Sequence, residues 1–264
     1  MKAKSKSTLL KVLAAVAFLA MVTVNYLAQA LPINGVTPGQ VSDSLPNLFA
    51  PAGLTFSIWG LIYLSLAAFV VYQFGFSNKT PEAGSLDKVR IVFVLSSLAN
   101  IAWIFSWHYG SIALSMLLMI MILVSLIIIN LTLDKKQLTL VEKVVFRLPF
   151  SFYFGWITVA TVANAAALLV QLGWDRFGLA EQTWAVIILV IVMGIGTVTM
   201  TRRKDVAYGL VLVWAYVGIL IKHVSSSGFA GSYPAVIATV IACLVIYLAA
   251  IGYIILKARK HPAA

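Results

Sequence analysis

Aromatic rings and side-chain amides lie at helical spacing in three apolar stretches of the chain. The stretches hold Trp59 and Tyr63, then Asn100, Trp103 and Trp107, and finally Trp156 and Asn164. Residues three, four, seven or eight positions apart share one face of a helix, so each set forms one stripe. An amide that faces lipid leaves its hydrogen bonds unmade. The pattern therefore predicts that Asn100 and Asn164 point into a helical bundle and line a pocket together with the rings.

A second interpretation of the same rings stays open. Trp and Tyr are enriched at membrane interfaces as simple anchors, and Asn often only links helices. We favour the anchor interpretation for Trp107, Trp174 and Trp184. For Trp59, Trp103 and Trp156 both interpretations stay open, and what supports the pocket is that three neighbouring stretches each pair a tryptophan with a polar group on one stripe.

Other kinds of chemistry find little support in the sequence. The middles of the apolar stretches hold no charged residue and no histidine, which disfavours a proton-coupled carrier. No metal-binding spacing, phosphate-binding loop or nucleophile triad can be assembled. His108 could ligate a haem iron, but a histidine in an interfacial turn more often has no such role. Lys222 sits at the end of a stretch, so a retinal protein is rejected, and the lone Cys243 is expected to be a packing residue.

The composition places the chain in a membrane. Its 264 residues are 62% hydrophobic and 10% charged, whereas soluble domains carry about 25% charged residues. About 20 helical residues cross a hydrocarbon core about 30 Å thick. Continuous apolar runs favour helices over a membrane barrel. The sequence therefore predicts an all-α polytopic transmembrane bundle of about eight spans. The spans are residues 12–31, 55–74, 89–107, 111–133, 148–170, 183–200, 206–221 and 234–256.

The basic residues alternate between the two sides of these spans. Seventeen of the 19 Lys and Arg residues lie in the N-terminal segment, in every second loop and in the C-terminal tail, and only Arg176 and Lys222 lie in the other loops. This positive-inside pattern predicts a cell-membrane protein with both termini in the cytoplasm. The net charge of +11 is explained by a basic face toward anionic lipid, so we expect the lipid bilayer and no nucleic acid as a partner.

The first thirty residues also have the outline of a secretory signal peptide. They combine a basic start, an apolar run and an Ala28-Gln29-Ala30 ending. The apolar run extends to Tyr26 and Leu27, which is long for a signal core. We therefore favour retention as the first span, while cleavage would leave seven spans.

Three segments resemble the tryptophan-rich sensory protein/translocator protein family (TspO/MBR). They are PNLFAPAGLTFSIWGLIYLSLAAFVV, LANIAWIFSWHYGSIALSMLLMIMIL and RLPFSFYFGWITVATVAN, in the family's order. The resemblance covers about residues 12–174 and implies five transmembrane helices around a pocket. It divides the chain into a TspO-like core, residues 1–174, and a three-helix extension, residues 175–264. Gly194 and Gly196 in the extension would permit close helix packing.

The resemblance implies binding of porphyrins, other tetrapyrroles and related hydrophobic ligands, with protoporphyrin or haem as candidates and no required cofactor. Some bacterial members degrade protoporphyrin in light with two pocket tryptophans, which match Trp59 and Trp156. Further matches to pocket-lining positions are Tyr63, Asn100, Trp103 and Asn164. Phe49 and Leu54 stand where the family's loop usually carries tryptophans, so ligand closure or specificity is expected to differ.

We therefore expect a membrane protein that binds a flat apolar ligand in a sensory or transport-related role, without turnover, while the resemblance leaves light-dependent degradation of a porphyrin open. One alternative is a transporter of small hydrophobic or neutral solutes, with the loop of residues 32–53 as its gate. Another is a non-catalytic scaffold whose last three spans bind a membrane partner. A homodimer is also left open.

Overall fold

The computed structural model describes residues 2–75 and 83–260, and every regular element in these ranges is helical. Its helices of seven or more residues are α1 (Lys2–Ala30), α2 (Pro38–Ser44), α3 (Ile58–Gly75), α4 (Ala83–His108), α5 (Ile112–Asp134), α6 (Leu148–Gln171), α7 (Glu181–Arg203), α8 (Val206–Val224) and α9 (Pro234–Lys260). Within these ranges, eight helices are long and apolar enough to cross a membrane, and they coincide with the eight predicted spans. The predicted all-α fold is confirmed. Lys79, one of the seventeen basic residues of the positive-inside pattern, lies outside the described residues.

Large apolar side chains are exposed along these helices. Leu64 and Val71 on α3 are each 72% exposed, and Leu19 on α1 is 62% exposed. A soluble protein rarely exposes such extended apolar surface, whereas a bilayer core requires it. The chain is a multi-pass membrane protein embedded in the lipid bilayer.

Contacts divide the chain into two compact units. Unit 1 comprises Met1–Val41 and Ile58–Ile157, and unit 2 comprises Ser42–Ser57 and Thr158–Ala264. In unit 1, α1 packs against α3 and α4, and α4 packs along α5. The turn between α4 and α5 contains Gly110 with φ +70°, a conformation that glycine adopts without steric cost. This tight turn makes the two helices antiparallel neighbours.

Aromatic packing and a buried ion pair help to hold together the part of unit 1 remote from that turn. Phe69 meets Phe93, Phe146 and Phe150 with ring centroids 5.0–5.9 Å apart. The Arg90 guanidinium is only 2% exposed and lies 2.6 Å from the Asp87 carboxylate. A charge this deeply buried is tolerated because it is paired and hydrogen-bonded.

Close helix approach defines the packing of unit 2, where α9 packs against α7 and α8. A Cβ at Gly196 on α7 would clash with Leu212 on α8 and lie 2.9 Å from the Tyr247 hydroxyl on α9. The predicted role of Gly196 in close packing is confirmed. Gly194 has open space around its Cα, so its absent side chain is not what brings helices together.

The segment Ser42–Ser57, hereafter the docked segment, is bound to α8. The Ala52 N–H donates to the Gly218 carbonyl at 3.0 Å, and the Trp214 indole N–H donates to the Thr55 carbonyl at 2.9 Å. His223 Nε2 lies 2.9 Å from the carbonyl oxygen of Leu48. These bonds satisfy backbone groups of an irregular segment that would otherwise be costly to bury.

Candidate functional site

An aromatic cluster forms in unit 1 where α3 meets α6. The Trp59 ring stacks on Tyr63, one turn away on α3, with centroids 5.3 Å apart. On α6, Tyr153 and Trp156 approach the same ring at 5.7 Å and 6.2 Å. The helical spacing of Trp59 and Tyr63 and of Tyr153 and Trp156 turns both pairs toward one another. We call these four residues the aromatic cluster.

The rings of the cluster converge, but they do not form parallel walls. The Trp59 and Trp156 planes meet at 79°, edge to face. A flat ligand sandwiched between two rings needs about 7 Å between their faces, twice an ordinary carbon contact. Trp59 is half-buried while Trp156 is 3% exposed, so in this arrangement Trp59 has the more accessible ring and Trp156 packs against it edge to face.

A chain of hydrogen bonds fixes the helices around the cluster. The Asn25 amide on α1 donates to the Asn100 carbonyl oxygen on α4 at 2.7 Å. The Asn100 amide in turn lies 3.1 Å from the Tyr153 hydroxyl on α6. Asn100 therefore points into the bundle, as predicted, and links three helices. No role for Asn25 is predicted from the sequence. Its apolar stretch is interpreted there only as a first span or a signal peptide, and its partner Asn100 lies 75 positions away.

The Tyr63 hydroxyl contrasts with that of Tyr153. It is buried and has no hydrogen-bond partner among the residues that the structure describes. A buried polar group without a partner costs about 1–3 kcal/mol. Tyr63 therefore offers a donor and acceptor beside Trp59 that an incoming ligand could satisfy.

The aromatic residues of α4 pack within unit 1. Trp103 stacks on Trp107 with centroids 5.9 Å apart. The Trp107 indole N–H donates to the Pro38 carbonyl at 3.1 Å, and Trp107 is only 5% exposed. Its role is thus a contact inside the protein rather than an interfacial anchor. The assignment of Trp103 to a ligand pocket stays a prediction.

His108 and Asn164 complete the residues singled out by the sequence. His108 is buried, with Nδ1 2.7 Å from the Ile104 carbonyl oxygen and Nε2 without a partner in the described part of the chain. Asn164 is buried on α6, about two turns after Trp156, in the part of that helix that belongs to unit 2. Its place in a pocket stays a prediction.

A cavity of about 430 Å³ lies in unit 2 and was not predicted. Its wall comes from the docked segment, the end of α6, the turn after it and the start of α7. Trp174 and Trp184 both line it, with ring centroids 5.0 Å apart. Sequence reasoning treated these two tryptophans as anchors. The sequence does contain a signal for this site. The two tryptophans lie on either side of a short polar turn that contains Arg176, and Arg176 is one of the two basic residues that depart from the positive-inside pattern.

Metal chemistry gains no support from the described residues, where no three His, Cys, Asp or Glu side chains come together to hold an ion. The arrangement suits binding by stacking and hydrogen bonds. It contains no paired acid and base near the aromatic cluster within residues 2–75 and 83–260.

These features define a multi-pass helical membrane protein with a tryptophan-containing aromatic cluster between two of its spans. A family model described as TSPO-like protein matches residues 11–253, and the chain belongs to that family. The resemblance to the TspO/MBR family is confirmed. A search of curated proteins and a search of solved structures found no match. The family match continues beyond residue 174 through most of α9, while the division of the chain into a core and a separate extension stays a prediction.

Proposed function

We propose that this protein binds a flat apolar ligand, a tetrapyrrole such as protoporphyrin or haem, at the aromatic cluster in a sensory or transport-related role. The observation that carries the proposal is the convergence of Trp59 and Trp156 beside a buried Tyr63 hydroxyl with no partner in the described residues. The rings supply stacking surface, and the hydroxyl supplies a polar group for which a ligand would provide a partner.

The energetics favour a ligand with both an extended ring and a polar edge. Stacking on an aromatic side chain contributes about 1–3 kcal/mol per ring in nucleic-acid binders. A hydrogen bond to a buried group adds about 1 kcal/mol. Together with burial of apolar surface, these contributions are compatible with a dissociation constant of about 1 µM, which corresponds to about 8 kcal/mol.

The residues of the proposed site have separate roles. Trp59 presents the stacking surface, and Trp156 braces it edge to face. Asn100 holds Tyr153 and Asn25, which makes it a positioning residue rather than a direct ligand contact. Binding without turnover remains our expectation.

The contacts of the docked segment support binding over gated transport. A gate in the loop of residues 32–53 must move, yet residues 42–53 are bound to α8 through Ala52, Leu48 and an ion pair between Asp43 and Lys222. Opening would break these interactions together. The distribution of basic residues supports placing the protein in the cell membrane with both termini in the cytoplasm.

The direct test titrates protoporphyrin IX against the protein in lipid nanodiscs and follows the absorbance of the porphyrin. We expect the double variant Trp59→Phe, Trp156→Phe to bind at least tenfold more weakly. The matched control, Trp174→Phe with Trp184→Phe, removes two indoles from unit 2 and should bind as the wild type does. If the wild type and the Trp59/Trp156 double variant bind protoporphyrin with equal affinity, the aromatic cluster is not the binding site.

A haem titration separates recognition of the ring from ligation of the metal. If the ring is what is recognised, haem and metal-free protoporphyrin bind alike and His108→Ala changes neither. A loss of affinity in His108→Ala that is confined to haem would instead show that His108 could hold the iron.

A further inference from the structure

The unit 2 cavity is a separate concave site that the proposed function does not use. At about 430 Å³ it lies within the range of pockets for small molecules, about 300–1,000 Å³. Its lining includes none of the residues assigned to the aromatic cluster. Any ligand here is therefore bound by different side chains from those that would hold a flat ligand beside Trp59.

Apolar and aromatic groups dominate the interior of this cavity. Phe49 is contributed by the docked segment, Leu169 by α6 and Ile188 by α7, and two indole rings add flat surface. Trp174 and Trp184 contact each other with their planes tilted by 38°. Such a lining favours a ligand with an apolar, ring-containing body.

One residue that lines the cavity, Trp184, has a buried polar atom without an acceptor in the described structure. The Trp184 indole N–H is buried and has no hydrogen-bond partner among the described residues. Buried indole N–H groups usually find an acceptor, and an unmet one costs free energy. A ligand that carries a carbonyl or ether oxygen would meet this need.

The charges around the cavity argue against a strongly charged ligand. Arg176 is positive, while Asp175 and Glu181 are negative, and all three are exposed lining residues. A ligand of either sign would meet a like charge at the mouth. A neutral ligand avoids this repulsion and keeps the three side chains hydrated.

The wall contributed by the docked segment is held in place before any ligand arrives. The Asn47 side-chain oxygen accepts the N–H groups of Phe49 and Ala50 at 3.1 Å and 2.9 Å. His223, which lies on α8, also contacts this wall, because its Nε2 atom is within hydrogen-bond distance of the Leu48 carbonyl oxygen. A preformed wall lowers the ordering cost of binding.

We infer that the unit 2 cavity is a second ligand site, which takes a neutral, ring-containing molecule with a hydrogen-bond acceptor. The acceptor oxygen meets the Trp184 indole N–H, and the ring packs against Trp174 and the apolar wall. This site is independent of the aromatic cluster in unit 1.

The test uses two neutral probes of the same shape, 2-acetylnaphthalene and 2-isopropylnaphthalene, of which only the first carries an acceptor. The full chain, labelled with 5-fluorotryptophan in nanodiscs, reports binding by ¹⁹F NMR, with signals assigned from single Trp→Phe variants. Probe concentrations are corrected for partition into protein-free nanodiscs. We expect the signals of Trp174 and Trp184 to shift while that of Trp59 stays in place. The ketone should bind about three- to tenfold more tightly, as one hydrogen bond allows.

Two variants make the outcome specific. Trp184→Phe keeps a ring but removes the N–H, so the ketone should lose its advantage while 2-isopropylnaphthalene binds nearly as before. Ala166→Phe fills the cavity and should abolish the shift of the Trp174 signal with both probes. The inference is overturned if the ketone shows no preference in the wild type, or if Trp184→Phe leaves that preference intact. The inference is also overturned if the probes shift the ¹⁹F signal of Trp59 instead of those of Trp174 and Trp184. A failure of the porphyrin titration alone would contradict the proposed function but not this inference.

Discussion

The aromatic cluster of unit 1 and the cavity of unit 2 both use tryptophans, but they differ in how the rings are placed. Trp59 is the second residue of α3 and Trp156 lies within α6, and rings from both helices pack against one another. Trp174 and Trp184 come from a turn and from the first residues of a helix, and they border about 430 Å³ of empty space. In unit 1 all four rings project from two helices and pack against one another, whereas in unit 2 the turn that holds Trp174 leaves room beside the rings.

The same difference governs the polar groups. In unit 1, Asn25, Asn100 and Tyr153 satisfy one another, and the Tyr63 hydroxyl is left over. In unit 2, backbone carbonyls of the docked segment are bound by side chains of α8, and the Trp184 N–H is left over. Each region thus contains a buried polar group, the Tyr63 hydroxyl or the Trp184 N–H, for which a bound molecule could supply a partner.

The largest effect is expected where the wall of the cavity meets α8. A Cβ at Gly218 would overlap the Thr55 side chain, while a Cβ at Gly194 has open space. Gly218→Ala should therefore lower the free energy of unfolding by about 1–3 kcal/mol through overpacking. Gly194→Ala should be neutral or stabilising by up to about 1 kcal/mol, because alanine favours the helix. Unfolding titrations with sodium dodecyl sulfate measure both.

If the two glycine variants unfold alike, the docked segment is not packed against α8 as described. The two regions are further distinguished if Gly218→Ala abolishes binding of the two naphthalene probes in unit 2 while the affinity for protoporphyrin is unchanged.

The next effect concerns the hydrogen-bond chain of unit 1. Asn100→Leu leaves the Tyr153 hydroxyl without its amide partner and removes the acceptor of Asn25. Hydrogen bonds between transmembrane helices contribute about 0.6 kcal/mol on average and up to about 1.7, so we expect a loss of about 1–2 kcal/mol. A double-mutant cycle of Asn25→Leu and Asn100→Leu in the same titration measures the coupling. Additive losses would show that the two amides do not interact.

The two tyrosines of the aromatic cluster provide a matched pair with a smaller effect. Tyr153→Phe loses a hydrogen bond to Asn100 and should destabilise the protein by about 1 kcal/mol. Tyr63→Phe removes a hydroxyl with no partner in the described structure, so stability should be unchanged or slightly higher. The affinity for protoporphyrin should be affected more by Tyr63→Phe than by Tyr153→Phe, and Tyr63→Phe should weaken it about threefold or more. An unchanged affinity in Tyr63→Phe would remove the hydroxyl from the proposed ligand contacts.

The smallest effect is expected at the ion pair between Lys222 and Asp43. Its atoms are 2.6 Å apart, but the Asp43 side chain is 54% exposed. Exposed pairs contribute about 0–1 kcal/mol and are screened by salt. Lys222→Gln should therefore lower stability by less than about 1 kcal/mol, and the difference should disappear near 1 M NaCl. A larger loss of stability that persists in high salt would show that this ion pair, rather than the backbone hydrogen bonds, holds the docked segment on α8.

Much of unit 1 could be predicted from the sequence because its information is periodic. The stripes of Trp59 and Tyr63 on one helix and Trp156 on another required only a helical repeat, and Asn100 required only the cost of an amide in lipid. The partners of Asn100 could not be deduced, since Asn25 and Tyr153 lie 75 and 53 positions away in the chain. Pairing across such distances depends on how the helices pack.

The sequence by itself determined the membrane class, the eight spans and the faces of the helices that carry rings and amides. These follow from local hydropathy and from the 3.6-residue repeat, which act over one helix at a time. Only the tertiary structure decided that Trp59 meets Trp156 edge to face and that Trp174 and Trp184 border a cavity. Ring orientation and empty space depend on several distant segments packing together, and the docked segment provides one of the walls without any periodic signal of its own.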